Sequence, residues 1–250
     1  SIVEPIRDRP SGFACVIGTG REASFEEPHY RLAEWVLLKL HSLRQINVER
    51  NEVSALRTLG NYELTHKIGE GGFSEVYIAY DLQQHQQVAI KLARENRSED
   101  TLAREILNLE GRLLEKLKIP GIVKLIESKT STKPYFLVLE YIDGIDLKKT
   151  IQTVVGGFDL GDALSLIYAA AEPVIALHDL EIVQLDIKPA NFMLTRNGEI
   201  RLIDLSGAID PTLGGAIKRV PIGTPEYAAP ELTQNNIGDI KSDVYSFGLL

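Results

Sequence analysis

Cysteine is almost absent from this chain of 250 residues: Cys15 is the one thiol. A single thiol closes no intrachain disulfide, so a reducing compartment and a cytoplasmic location are the expectation. One Cys and five scattered His leave no zinc-ligand cluster. No run of Lys and Arg stands out, and the net charge is −8, so neither nucleic acid nor an anionic membrane has electrostatic support as a partner. No apolar run approaches the roughly 20 residues of a bilayer span, so no membrane segment is expected within the chain. Internal repeats and low-complexity tracts are missing as well. The remainder is ordinary for a globular protein, with 44% hydrophobic and 25% charged residues, enough for one large domain or two small ones. The chain starts at Ser1 and stops at Leu250 inside the apolar run SDVYSFGLL, so both ends read as cut.

The first stretch, 1–29, is turn-rich and carries no motif; VIGTGR at 16–21 reads as a strand and turn rather than a phosphate loop. Over 30–58 the apolar residues Leu32, Trp35, Val36, Leu40, Leu43 and Ile46 fall at helical spacing, and Gly60 and Asn61 close that helix. Residues 1–61 are therefore an extension or the end of a preceding domain. From Tyr62 the texture changes. YELTHKIG, EVYIAYD and QVAIKLA are rich in β-branched and aromatic residues and are split by turns, as three antiparallel strands would be. Residues 101–117 read as a helix despite Gly111, and GIVKLIES and PYFLVLEYI read as two more strands. Beyond Gly144 the chain turns helical, with a long apolar-faced helix at 162–180. Strands first and helices later give an α+β class with two lobes, 62–142 and 143–250.

The chain is organised around Ile182–Asn191, IVQLDIKPAN, where Asp186, Lys188 and Asn191 sit between two apolar runs. A carboxylate, an ammonium and a carboxamide on a short, well-supported loop suit phosphoryl transfer: proton acceptor, phosphate contact and metal ligand. Upstream, IGEGGFSEV carries Gly69, Gly71 and Gly72, whose missing Cβ atoms let backbone amides approach phosphate oxygens. In VAIK, Lys91 lies in an apolar strand and must find an anion or a path to solvent. Two glutamates on the following helix, Glu110 and Glu105, are candidates for that anion.

In this order the motifs resemble those of the eukaryotic-type (Hanks-type) Ser/Thr protein kinases, from about Tyr62 to Leu250. The resemblance implies a two-lobed kinase fold with a five-stranded antiparallel N-lobe sheet, one main N-lobe helix and an incomplete helical C-lobe. It implies that Lys91 binds the α- and β-phosphates of ATP and pairs with Glu110, chosen over Glu105 by its distance from Pro120. LEYIDGID at 139–146 is similar to the hinge, where the backbone of Glu140 and Ile142 would bond adenine and Asp146 would meet the ribose. Val76, Ala89 and Met193 match the apolar positions that sandwich the adenine ring. Asp204 and Asn191 match the metal ligands, for Mg²⁺ or Mn²⁺. GTPEYAAPE at 223–231 resembles the substrate-side segment, and Asp243 matches a carboxylate that steadies the catalytic loop. Lys188 and Thr224 point to Ser or Thr hydroxyls of a protein as acceptors.

Three departures stand out against the family pattern. His-Arg-Asp is Gln184-Leu185-Asp186 here, Asp-Phe-Gly is Asp204-Leu205-Ser206, and the helical lobe stops early. A pseudokinase that binds nucleotide or docks partners is one alternative, and a kinase-like phosphotransferase of small molecules is another. Leu205 is expected to stack with Leu114 and Leu125 beneath Gln184. Without an arginine at 185, Thr212 is the one plausible phosphosite of the following loop, and packing around Ile217 and Val220 is expected to order that loop instead.

Overall fold

The computed structural model describes residues 14–17, 21–24, 57–94, 100–154, 157–213, 223–235 and 237–250. Of the helix expected over 30–58, residues 30–56 lie outside these, as do the loop residues Ile217 and Val220, while Arg57 and Thr58 belong to a strand instead. The first elements are a short hairpin, β1 (Ala14–Ile17) and β2 (Arg21–Ser24), paired antiparallel.

The first lobe is built on β3 (Arg57–Leu59), β4 (Tyr62–Glu70), β5 (Ser74–Asp81), β6 (Gln86–Ala93), β7 (Leu125–Lys129) and β8 (Phe136–Glu140). They form one six-stranded sheet in the order β3-β4-β5-β6-β8-β7, and all its pairs are antiparallel. The five expected strands are all present, and β3 adds a sixth at the edge. Gly60 and Asn61 do not close a helix; they form the turn between β3 and β4, and Gly60 supplies the positive φ of 61° that this turn requires.

Strand β6 is buried on both faces, and that explains its sequence. Val88, Ile90 and Leu92 join Leu59, Tyr62, Leu64, Ala79, Phe136 and Val138 in one apolar cluster. The alternate residues face the other way, where Ala93 belongs to a second cluster that contains Ala103, Leu107 and Leu113 of α1 (Asp100–Lys116). Gly111 lets α1 lie close against the sheet. A Cβ there would stand 2.9 Å from Leu137 Cδ2 and 3.1 Å from Ser128 Oγ. The helix-breaking cost of a mid-helix glycine, about 1 kcal/mol against Ala, is thus exchanged for a close approach.

The second lobe begins at β9 (Gly144–Asp146) and α2 (Leu147–Thr153). It continues through α3 (Leu160–His178), a 3-10 turn at Pro189–Asn191, β10 (Phe192–Thr195) and β11 (Ile200–Leu202). It ends with α4 (Pro230–Asn235) and α5 (Ile240–Phe247). Strands β11-β10-β9 form a small antiparallel sheet that the sequence pattern did not announce. By length and composition α3 is apolar enough to cross a membrane, which corrects the expectation that no stretch comes near a span. In this fold it packs as a core helix instead, with Leu166, Ala170, Val174 and Leu177 buried in the large cluster.

Candidate active site

Strand register lines up the first half of the site. Gly69 of β4 pairs with Val76 of β5, and Val76 pairs with Lys91 of β6. Gly71, Gly72 and Phe73 make the bend between β4 and β5, where the Gly71 N–H donates to Ser74 O at 2.8 Å. The Phe73 carbonyl accepts from Arg94 N at 2.9 Å, which ties the bend to the end of β6.

Lys91 is 4% exposed, and its Nζ stands 2.7 Å from both carboxylate oxygens of Glu110 and 2.9 Å from Asp204 Oδ1. Glu110 is 1% exposed, whereas Glu105 lies on the solvent face of α1. The helix period decides between them: position 110 shares a face with the buried Ala103, Leu107 and Leu114, and 105 does not. Burial alone would lower the Lys91 ammonium, but the Asp204 and Glu110 carboxylates outweigh it and hold Lys91 above the ordinary lysine range. Burial pushes the Glu110 carboxyl up; the Lys91 ammonium opposes this, while the negative charge of Asp204 adds to it. Burial would raise Asp204 too, yet Lys91 and the Ser206 N–H keep its carboxyl below the ordinary value. The Ser206 N–H donates to Asp204 Oδ1 at 2.8 Å and closes the turn at Asp204-Leu205-Ser206.

The second half of the site is a short loop held from below. Asp243 of α5 is fully buried, and its carboxylate accepts from Gln184 N at 2.8 Å and Leu185 N at 2.7 Å. His178, in the last turn of α3, meets the same carboxylate at 2.7 Å. Leu185 takes a positive φ of 56°, uncommon for a residue with a Cβ, and its side chain is buried. That strain is held by close packing: a Cβ on Gly238 would stand 2.4 Å from Leu185 Cδ2. Gln184 is wholly buried and its Nε2 donates to Asp204 O at 2.6 Å. Its Oε1 is buried with no hydrogen-bond partner among the described residues. Leu205 is buried in the same cluster as Leu114, with Leu125 packed against it.

Above this support, three side chains converge on Asp186 through four hydrogen bonds. Lys188 Nζ reaches Asp186 Oδ2 at 2.7 Å, and Thr224 Oγ1 donates to Asp186 Oδ1 at 2.8 Å. Lys188 also reaches Thr224 Oγ1 at 2.7 Å, which closes a triangle of ammonium, hydroxyl and carboxylate. Asn191 Nδ2 donates to the Asp186 carbonyl at 2.7 Å and to Oδ2 at 3.0 Å. These bonds use the amide end of Asn191, so its carbonyl oxygen is left over as a hard donor. Asp204 likewise spends Oδ1 on Lys91 and Ser206 and keeps Oδ2.

Asn191 and Asp204 thus offer two oxygens of the type Mg²⁺ prefers. No group of three or more His, Cys, Asp or Glu suited to a metal exists among the described residues. Two protein oxygens suit an ion that draws its remaining ligands from phosphates and water. A cavity of about 570 Å³ joins the two halves, lined by Gly71, Gly72, Lys91, Asp186, Lys188 and Asp204 among others. Its size and its mixture of glycine, cation and carboxylate fit a metal-bound polyphosphate.

The residues expected around adenine are half-buried and lie outside the lining of that cavity: Val76, Ala89, Ile142 and Met193. Register brings Ala89 opposite Leu139 of β8 and Met193 opposite Asp146. Glu140 N already donates to Lys124 O at 2.9 Å, so its backbone can offer a ligand only the carbonyl. The Glu140 side chain accepts from Lys124 N at 2.8 Å and pairs closely with Arg201 of β11, a link that sequence spacing could not reveal. Asp146 caps α2 by accepting from Lys149 N at 2.8 Å, in addition to the ribose contact expected of it.

A strand-built lobe above a helical one, meeting at a buried Lys–Glu pair and an Asp/Lys/Asn loop, defines a two-lobed kinase-like fold. The protein kinase domain family model matches residues 62–250, and the chain belongs to that family, among its eukaryotic-type Ser/Thr members. Serine/threonine-protein kinase pkn2 of Myxococcus xanthus is 30% identical over 198 residues, covering 76% of this chain and 24% of the relative. Serine/threonine-protein kinase PknB of Mycolicibacterium smegmatis is 32% identical over 195 residues, covering 75% of this chain and 31% of the relative. PknB of Mycobacterium tuberculosis (strain ATCC 25177 / H37Ra) gives the same 32% over 195 residues. The chain therefore spans about a quarter to a third of the length of these curated relatives.

Proposed function

We propose that this chain is the catalytic domain of a protein kinase that transfers the γ-phosphoryl group of ATP, with Mg²⁺ or Mn²⁺, to Ser or Thr hydroxyls of protein substrates. The observation that carries this reading is the convergence of Lys188, Thr224 and Asn191 on the Asp186 carboxylate, across the cavity from the Lys91–Glu110 pair. A docking module has no need of both clusters.

In this reading Asp186 orients the acceptor hydroxyl and receives its proton. Lys188 lies 2.7 Å from that carboxylate, placed to meet negative charge as it builds on the transferring group. Thr224 holds both side chains in register from the substrate-side segment. Lys91, fixed by Glu110, orients the phosphates nearer the nucleoside, and the Gly71–Gly72 bend covers them with backbone amides. Asn191 and Asp204 would hold the metal, which supplies charge neutralisation of the phosphates when bound. Glu140 and Ile142, through backbone groups, and the side chains of Val76, Ala89, Met193 and Asp146 would seat the nucleoside.

The test is transfer from labelled ATP to mixed Ser/Thr peptides and to small-molecule alcohols, by the wild-type chain beside Asp186→Asn. Peptide labelling by wild type alone supports the proposal. Equal labelling by both proteins, or labelling of small molecules only, overturns it.

A further inference from the structure

Whatever Lys91 does to phosphates depends on where α1 holds Glu110. The C-terminal end of that helix is fastened by a contact that belongs to none of the motifs above. Lys116 Nζ, in the last turn of α1, donates to Asp210 Oδ2 at 2.7 Å and to Thr212 Oγ1 at 2.9 Å. Thr212 in turn donates to Asp210 Oδ1 twice, from its backbone N–H at 2.8 Å and its hydroxyl at 2.7 Å. The Asp210 side chain is 1% exposed, whereas Lys116 is 42% exposed. This is not an ordinary surface pair, in which both charges stay in water and little is gained. A buried carboxylate here takes three hydrogen bonds, and Lys116 is the cation among its donors.

The other side of the contact is also fixed. Ile209, next to Asp210, exchanges two backbone hydrogen bonds with Val183, at 3.1 and 2.8 Å. Val183 adjoins Gln184, whose side chain holds the Asp204 carbonyl at 2.6 Å. The helix is a stiff rod, and the six positions from Glu110 to Lys116 span about 9 Å at 1.5 Å per residue. A pin at Lys116 therefore limits the swing of Glu110.

We infer that Lys116, Asp210 and Thr212 form a clamp that positions α1, and through it Glu110, by joining the helix to the segment after Asp204. Lys116 and Asp210 are positioning residues. The clamp works without any charge at position 185, where the side chain is the buried, apolar Leu185. Its kinetic consequence rests on the proposed phosphoryl transfer; its effect on the helix does not.

The experiment uses the full 250-residue chain and the variants Lys116→Met, Asp210→Asn and Lys116→Arg. Three quantities are compared with wild type: amide hydrogen exchange across α1, the melting temperature, and kcat and KM for ATP. Met there removes the cation from a buried carboxylate that keeps its two Thr212 bonds, so the melting temperature should fall modestly, and exchange in α1 is read against exchange in the rest of the chain. Both Lys116→Met and Asp210→Asn should speed exchange in α1 about tenfold, as the local opening becomes easier. They should lower kcat about tenfold with KM for ATP within about threefold, the pattern of misplaced phosphates rather than lost nucleoside contacts. Lys116→Arg should restore both. The clamp is refuted if exchange in α1 stays within about twofold of wild type. It is equally refuted if exchange and kcat merely follow the melting temperature and Arg restores neither. An inactive wild type would sink the kinase reading, while the exchange data would still decide the clamp.

Discussion

Replacing Lys91 by Met is the sharpest probe of the site, because it removes one cation from between two carboxylates. Lys91 is 4% and Glu110 1% exposed, with Nζ 2.7 Å from both Glu110 oxygens and 2.9 Å from Asp204. Methionine matches the stem in length and apolar character, so packing changes little. Breaking a buried pair from one side costs about 3–5 kcal/mol when the remaining charge cannot neutralise. At about 2–4 °C per kcal/mol for a domain of this size, the melting temperature should fall by about 6–20 °C near neutral pH. The loss should also depend on pH, and its sign follows from Glu110. Its folded-state carboxyl is already pushed up by burial, and removing Lys91 pushes it further. A group whose folded value exceeds its unfolded value stabilises below the unfolded value, and that stability is lost as pH rises through the folded value. Asp204 now lies below its ordinary value because of Lys91, so its stabilisation, present at high pH, also disappears in the variant. The melting temperature of Lys91→Met should thus trail wild type more at about pH 8 than at about pH 5.5. Peptide phosphorylation, measured well below the variant's own melting point, should fall at least about a hundredfold, because phosphate positioning is lost. Differential scanning fluorimetry at both pH values, with labelled-ATP transfer alongside, makes the check. An equal deficit at the two pH values would refute the buried-pair argument, and retained transfer would refute the role of Lys91.

Four further outcomes are expected. Glu110→Gln should cut turnover at least about tenfold, while Glu105→Gln, on the exposed face, should leave it intact; the reverse pattern in steady-state kinetics would show the wrong helix face had been chosen. Asp204→Ala should abolish metal-dependent transfer, and wild-type activity that persists in excess chelator would count against the Asn191 and Asp204 assignment. Gln184→His should fold with a stability change within about 1 kcal/mol, since a ring N–H can replace the bond to Asp204 O and the orphaned Oε1 disappears; loss of folding, seen by circular dichroism, would contradict this. Gly238→Ala should destabilise by about 1–3 kcal/mol in a urea titration because its Cβ meets Leu185, and an unchanged midpoint would mean that Leu185 is free to move.

The sequence alone determined the two-lobed α+β plan, five of the six sheet strands, and the residue types at Lys91, Asp186, Lys188, Asn191 and Asp204. It could do so because these signals are local. Alternation marks strands, a 3.6-residue period marks α1 and α3, and a lone lysine in an apolar strand demands an anion wherever the chain later folds. Tertiary structure decided what local pattern leaves open. Glu110 rather than Glu105 meets Lys91 because α1 turns one face to β6 and β8, with Gly111 permitting the close approach. Strand β3 pairs with β4 although its three residues carry too little pattern to separate from a helix end. The links His178 to Asp243, Arg201 to Glu140, and Lys116 to Asp210 and Thr212 join residues far apart in the chain. An exposed-looking lysine or a helix-terminal histidine carries no sequence mark of such a partner. Only the packing of helix against helix and lobe against lobe brings the two ends of each link within hydrogen-bond reach.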